Sequence, residues 1–171
     1  MDLKLTDTER LILANQYEIL SKLEEDAGYA RVAAQLRGGH EWLYREAFQW
    51  LFPVMPDSDA QFVVTVLDLH RALLFSFNAL VDKGALTSAD IAFEGFDGND
   101  GQESTLLRFT RALGEQGRWE ELLDGRVGLN SSSRTVPGYQ RMIAAWKNMD
   151  KPHGMSKEQI ETILTAKRHP K

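Results

Sequence analysis

His40 and Glu41 open "HEWLY", and a histidine followed at once by a glutamate is half of the zinc hydrolase signature. That signature needs a second histidine four residues on, on the same helical face, and Tyr44 stands there instead. His40 therefore reads as a polar residue near a helix start. The stretch "IAFEGFDGNDG", Ile91 to Gly101, crowds glycine and aspartate in the manner of a metal loop. Counted from Asp97, an EF-hand loop would place an oxygen ligand at Gly101 and its glutamate at Arg108, so it fails at two positions. A Walker-type phosphate cradle needs a lysine and a hydroxyl after its last glycine, and "GNDGQES" has no lysine. The stretch is expected to be a turn that starts a helix.

His70 has Asp68 and Arg71 beside it in sequence, but residues two apart on a helix point in different directions. It is expected as a half-buried histidine with its hydrogen bonds satisfied. His153 and His169 fall in a loop and in the basic tail "AKRHPK". The chain has no cysteine, which excludes disulfides, thiolate metal sites and cysteine nucleophiles. "NSSSR" contains a glycosylation sequon at Asn130 but no nucleophile elbow. No catalytic residue, metal site or cofactor is assigned. The polar set with most interest is Arg10, Asn15 and Gln16 on an otherwise apolar first helix, where buried amides would fix helix register, face a partner or hold a ligand. Trp42, Trp50, Trp119 and Trp146 are expected in a core or an interface. Arg118 beside Trp119 could stack on a nucleobase, yet "GRWEELLD" is acidic and reads as a surface turn.

The elements that would position these residues are helical throughout. Thr6 with Glu9, Ser58 with Gln61 and Ser156 with Gln159 have capping-box spacing, and Thr87 with Asp90 gives a weaker start signal. Helix one is expected to begin near Asp7, with Leu13, Gln16, Tyr17, Leu20 and Leu23 on one stripe. Residues Tyr29 to Leu36 form a second helix broken by Gly38-Gly39, and a third runs through "HEWLYREAFQWLF" to Pro53. The strongest element spans about Asp59 to Val81, with Phe62, Val66, Leu69, Leu73, Phe77 and Leu80 on one stripe and Val63, Leu67, Leu74 and Val81 beside it. Leu106, Phe109 and Leu113 face inward on a helix ending at Gly114 or Gly117. Pro137 opens another, with Tyr139, Met142, Ile143 and Trp146 inward, and Ile160, Ile163 and Leu164 face inward on the last. Together these predict an all-α fold, a compact multi-helix domain of about seven helices with a long central apolar helix. Residues 1–171 form a single helical domain, with an N-terminal helical subdomain at 1–52 packed on the remainder.

With 171 residues, 43% hydrophobic and 26% charged, the composition is that of an ordinary globular protein. A net charge of −5 opposes a dedicated nucleic-acid binder, which needs a positive field. The start "MDLKLTDTER" lacks the features of a signal peptide, and no uninterrupted apolar run approaches a membrane span, so a cytoplasmic location without a membrane is expected.

The blocks "LTDTERLILANQYEIL", "AFEGFDGND", "GEQGRWEEL" and "YQRMIAAW" resemble, in order and spacing, the YfbU family of bacterial proteins of unknown function. The resemblance implies a mostly helical fold, a cytoplasmic bacterial protein, self-association and no assigned activity. Its shared positions make Glu9, Arg10, Asn15, Gln16, Tyr17, Gly95, Phe96, Asp97, Gly117, Arg118, Tyr139 and Arg141 candidates for an interface or polar site. The sequence departs from the family pattern around Gly38 to His40 and from Asp124 to Arg134. The leading expectation is a self-associating protein-interaction module without catalysis and with an unidentified protein partner. The alternatives are a nucleic-acid-associated or stress-linked regulator, and a small-molecule protein with a polar site near Glu9, Arg10, Asp97 and Arg118.

Overall fold

The structure is a computed structural model that describes residues 4–123 and 129–168. Its contacts group into two compact units, Met1–Val54 and Met55–Lys171. Nine α-helices and one 3-10 turn are found among the described residues, and the only strand-like pairing there is a bridge between Phe96 and Asn130. The fold is all-α. Two four-residue single turns, Ser88–Ile91 and Glu120–Leu123, account for the two helices beyond the seven expected, and a third, Glu41–Tyr44, stands where a longer helix was expected.

In the first unit α1 (Asp7–Leu23) starts where Thr6 and Glu9 cap each other reciprocally. α2 (Ala27–Arg37) starts at Asp26, whose carboxylate accepts the Gly28 N–H, and ends at Gly38-Gly39. The two pack as a helical hairpin across a three-residue turn, 24–26. α3 (Glu41–Tyr44) runs into a 3-10 turn, Arg45–Phe48, so the long third helix expected up to Pro53 is not formed. Residues 51–54 leave the helix, and Pro53 forces the residue before it toward extended backbone. The core of this unit is small: Ala14, Ala33, Leu36 and Tyr44 are buried, with Leu13, Tyr17, Val32 and Phe48 packed around them. Trp42 and Trp50, expected in a core or an interface, are largely exposed.

The second unit is organised by α4 (Asp57–Ala79). Its start lies two residues before the expected one, because Pro56 takes the capping position and Ser58 falls inside the first turn without capping it. Its end also comes early: Leu80 is extended and Val81 is fully exposed rather than part of the stripe. Val63, Val66, Leu67, Leu69, Ala72, Leu73 and Phe77 are buried against α5 (Ser88–Ile91), α6 (Glu103–Glu115), α7 (Glu120–Leu123), α8 (Val136–Lys147) and α9 (Lys157–Lys167). By length and composition α4 could cross a bilayer, but half of that stretch is buried inside its own unit. Ser76 ties the 148–156 segment to α4, donating to Ala72 O at 2.6 Å and accepting the Met155 N–H at 2.9 Å. Trp146 Nε1 holds the same segment through Pro152 O at 3.0 Å.

A Leu67→Ala substitution leaves a cavity in α4's buried face and is expected to cost about 2–5 kcal/mol. Phe75→Ala, on the exposed face of the same helix, should change stability far less. Urea denaturation of both variants checks this; equal losses would contradict the central place of α4.

Candidate functional site

The stretch Ile91 to Gly101 is a turn before a helix, and it is also the polar centre of the second unit. Gly95 has φ +86°, and a side chain there would place Cβ 1.7 Å from Leu129 O, so only glycine fits. This close approach lets the Phe96 N–H reach Leu129 O at 3.1 Å and the Ser131 N–H reach Phe96 O at 3.2 Å. Asp97 Oδ1 accepts the Asn99 N–H at 2.9 Å, and Asp100 Oδ1 accepts the N–H groups of Gln102 and Glu103, which starts α6. Hydrogen bonding from those first-turn amides holds the Asp100 carboxyl below its ordinary range.

Glu103, the first residue of α6, is buried. Its carboxylate accepts the N–H groups of Asp97 at 2.9 Å, Thr135 at 3.0 Å and Val136 at 3.0 Å. The last two belong to the cap and first residue of α8, so one anion sits at the positive ends of two helices. The Thr135 hydroxyl lies 3.0 Å from Gly95 O and 3.2 Å from Glu103 Oε2 and donates to either. Tyr139 Oη donates to Gly95 O at 3.1 Å and accepts the Glu94 N–H at 3.3 Å. Burial raises the pKa of that phenol, keeping it a neutral donor.

His70 is fully buried rather than half-buried, in edge contact with Phe93 and Tyr139, each at 5.4 Å between ring centres. Nδ1 bonds Ile91 O at 3.0 Å, which makes it the protonated nitrogen of a neutral ring. Nε2 has no partner among the described residues, so the expectation of a satisfied histidine is corrected at one nitrogen. Burial lowers its pKa to about 4. Phe93, Phe96 and Tyr139 continue the aromatic layer outward from this ring.

The other candidate residues serve local structure. Arg141 donates to Ala166 O at 3.0 Å and Lys167 O at 2.6 Å, closing the end of α9. Gly117, with φ +70°, follows the end of α6. Arg118 lies over the Trp119 ring at 4.9 Å, and Arg71 at 5.3 Å, while the indole N–H of this buried tryptophan bonds Asp68 at 3.1 Å. In the first unit Glu9 closes the α1 cap, its pKa lowered by hydrogen bonds from the Thr6 backbone and hydroxyl. Arg10 reaches Asp7 at 2.6 Å and Leu36 O at 3.2 Å, joining α1 to the end of α2. Tyr17 packs on Tyr29 and Phe48. Asn15 takes a hydrogen bond from Arg37 at 2.9 Å and is exposed; Gln16 is exposed as well. The idea that these amides are buried is therefore corrected: Asn15 is tied at the surface to Arg37, the last residue of α2, and Gln16 lies exposed. Thus Gly95, Phe96, Asp97 and Tyr139 are brought together, Arg118 and Arg141 serve two other places in the same unit, and Glu9, Arg10, Asn15, Gln16 and Tyr17 belong to the other unit. Sequence reading missed Glu103 and Thr135 as the centre of the cluster, since they are 32 residues apart. The tail 169–171, with His169, and residues 124–128 of the loop that departs from the family pattern lie outside the described residues.

Fold and site define an all-helical protein whose buried polar groups join helix ends around an obligatory glycine turn. The chain belongs to the YfbU family: the YfbU domain matches residues 3–166. It is similar to a UPF0304 protein of Actinobacillus succinogenes, 32% identical over 169 residues that cover 96% of this chain and 100% of the relative. It is also similar to UPF0304 proteins of Mannheimia succiniciproducens, at 29% identity, and Pasteurella multocida, at 31%, with the same coverage.

Replacing Glu103 by Gln turns two acceptor oxygens into one acceptor and one NH2 group facing N–H donors. Glu103→Gln is expected to lose roughly 2–4 kcal/mol of stability by denaturant unfolding; a change under about 0.5 kcal/mol would contradict the role given to the carboxylate. His70 yields a pH dependence. Its folded pKa of about 4 lies below the unfolded value near 6.5, so the unfolded state binds the extra proton between these values. Stability is complete above about pH 6.5 and falls on the order of 3 kcal/mol as pH drops toward 4. His70→Asn, which keeps a donor but does not titrate, should flatten that part of the profile.

Proposed function

We propose that this protein is a self-associating interaction module of the cytoplasm, with a protein partner and no catalysis of its own. The observation that carries this reading is the imbalance of the first unit. Its buried apolar residues are few, Ala14, Ala33, Leu36 and Tyr44, while many of its large ones face water: Trp42 is 74% exposed, Trp50 78% and Leu23 74%. Among the described residues ten large apolar side chains are exposed in this unit, against Phe75 and Val81 in the other. Water-facing tryptophan and aliphatic side chains in such number are what association surfaces use, since their burial is the main driving force for docking.

The residues a small-molecule site would need are already engaged. Glu9 caps α1, Arg10 ties α1 to α2, Asp97 closes a turn and Arg118 covers Trp119. Sedimentation velocity across a dilution series in the micromolar range tests the proposal. An assembly larger than one 19.4 kDa chain that persists through dilution is expected; a monomer at every concentration would overturn it.

A further inference from the structure

The first unit holds a groove of about 430 Å³ between α2 and the segment formed by α3 and the 3-10 turn. That volume lies within the range of small-molecule sites, roughly 300–1,000 Å³. Gly28, Arg31, Val32 and Gln35 line it from α2, where at 3.6 residues per turn they fall within an arc of about 100°. Leu43, Glu46 and Ala47 line it from the other side, and Tyr17 reaches it from α1. The small residues Gly28 and Ala47 leave the space open.

The charged groups of the groove are not used by the fold. Of the four arginines in this unit, Arg10, Arg37 and Arg45 make ion pairs, whereas Arg31 makes no ion pair or hydrogen bond among the described residues. The Glu46 carboxylate has no partner among them either, so the two opposite charges line one groove without meeting. Asp26 adds a second carboxylate at the start of α2, where it accepts the Gly28 N–H at 2.7 Å. One cation against two carboxylates disfavours a simple anion and suits a guest of net charge +1. Two tyrosine rings complete the lining: Tyr17 and Tyr29 lie 5.9 Å apart, tilted by 42°, and ring faces of this kind attract cations.

From this arrangement we infer that the groove binds a free basic amino acid. Its α-carboxylate takes the fork of the Arg31 guanidinium, and its α-ammonium the Glu46 carboxylate. The aliphatic stem lies on Val32 and Leu43, and the side-chain cation on Asp26 and the tyrosine rings. Along α2 the step from Arg31 to Asp26 is about 7.5 Å, which an extended lysine spans from its carboxylate to its side-chain ammonium. The inference does not depend on self-association.

Amide NMR shifts of the full chain, followed as L-lysine or L-arginine is added to about 10 mM, test it at affinities near 1 mM. Saturable shifts confined to residues 26–35 and 43–47 are expected. Norleucine, which lacks the side-chain cation, and cadaverine, which lacks the carboxylate, should each bind at least about fivefold more weakly. Arg31 is exposed and holds nothing in its own chain, so Arg31→Ala should keep the melting temperature while weakening lysine at least about tenfold. Glu46→Gln should weaken it as well. No saturable shift at these residues with either amino acid overturns the inference, as does unchanged binding by Arg31→Ala. Norleucine binding as well as lysine would remove the basic class. Sedimentation of the ligand-free chain reads self-association separately, so either reading can fail alone.

Discussion

The carboxylate of Glu103 is the constraint on which the second unit depends. A buried carboxylate without partners would cost several kcal/mol, and here three N–H groups from two separate segments supply them. That requirement places the cap of α8 against the first residue of α6 and fixes the Gly95–Asp97 turn between them. With the turn fixed, Gly95 O is in reach of both the Tyr139 phenol and the Thr135 hydroxyl, and Phe96 enters the aromatic layer beside Phe93. His70 on α4 closes that layer, held by one hydrogen bond and otherwise by ring contacts. Polar and apolar order are thus one arrangement: the hydrogen bonds aim the rings, and the rings exclude the water that would weaken the hydrogen bonds.

The first unit has no comparable centre. Its interior is a hairpin contact between α1 and α2 with Tyr44 beneath, and at this size burial alone stabilises a fold only marginally. Its polar ties, Arg10 to the end of α2 and Arg37 to Asn15 and Glu18, lie at or near the surface, where charge pairs contribute little. A unit of this kind gains most from covering the apolar surface it leaves in water.

What was legible in the sequence was what neighbours within a few residues decide. Thr6 with Glu9 and Ser156 with Gln159 form the capping boxes that their spacing implies, and Tyr139, Met142, Ile143 and Trp146 all turn inward as their periodicity requires. The same local logic failed at Ser58, where Pro56 had already set the helix start, and beyond Phe48, where aromatic content suggested a helix that the chain does not continue. Glu103 was invisible for a different reason: its partners at Thr135 and Val136 are brought to it only by the packing of α6 and α8. On α1 the apolar residues cover so wide an arc that periodicity alone could not say which part faces α2. Gln16 was therefore placed in the wrong environment, though on the right helix.

Hydrogen exchange of the full chain at two protein concentrations tests the central claim, that the first unit completes its surface with another copy of itself. The account predicts that amides of the first unit exchange more slowly at the higher concentration while those of α4 and α8 are unchanged, because only the former are steadied by docking. Exchange in the first unit that is the same at both concentrations, with the chain monomeric throughout, would contradict it.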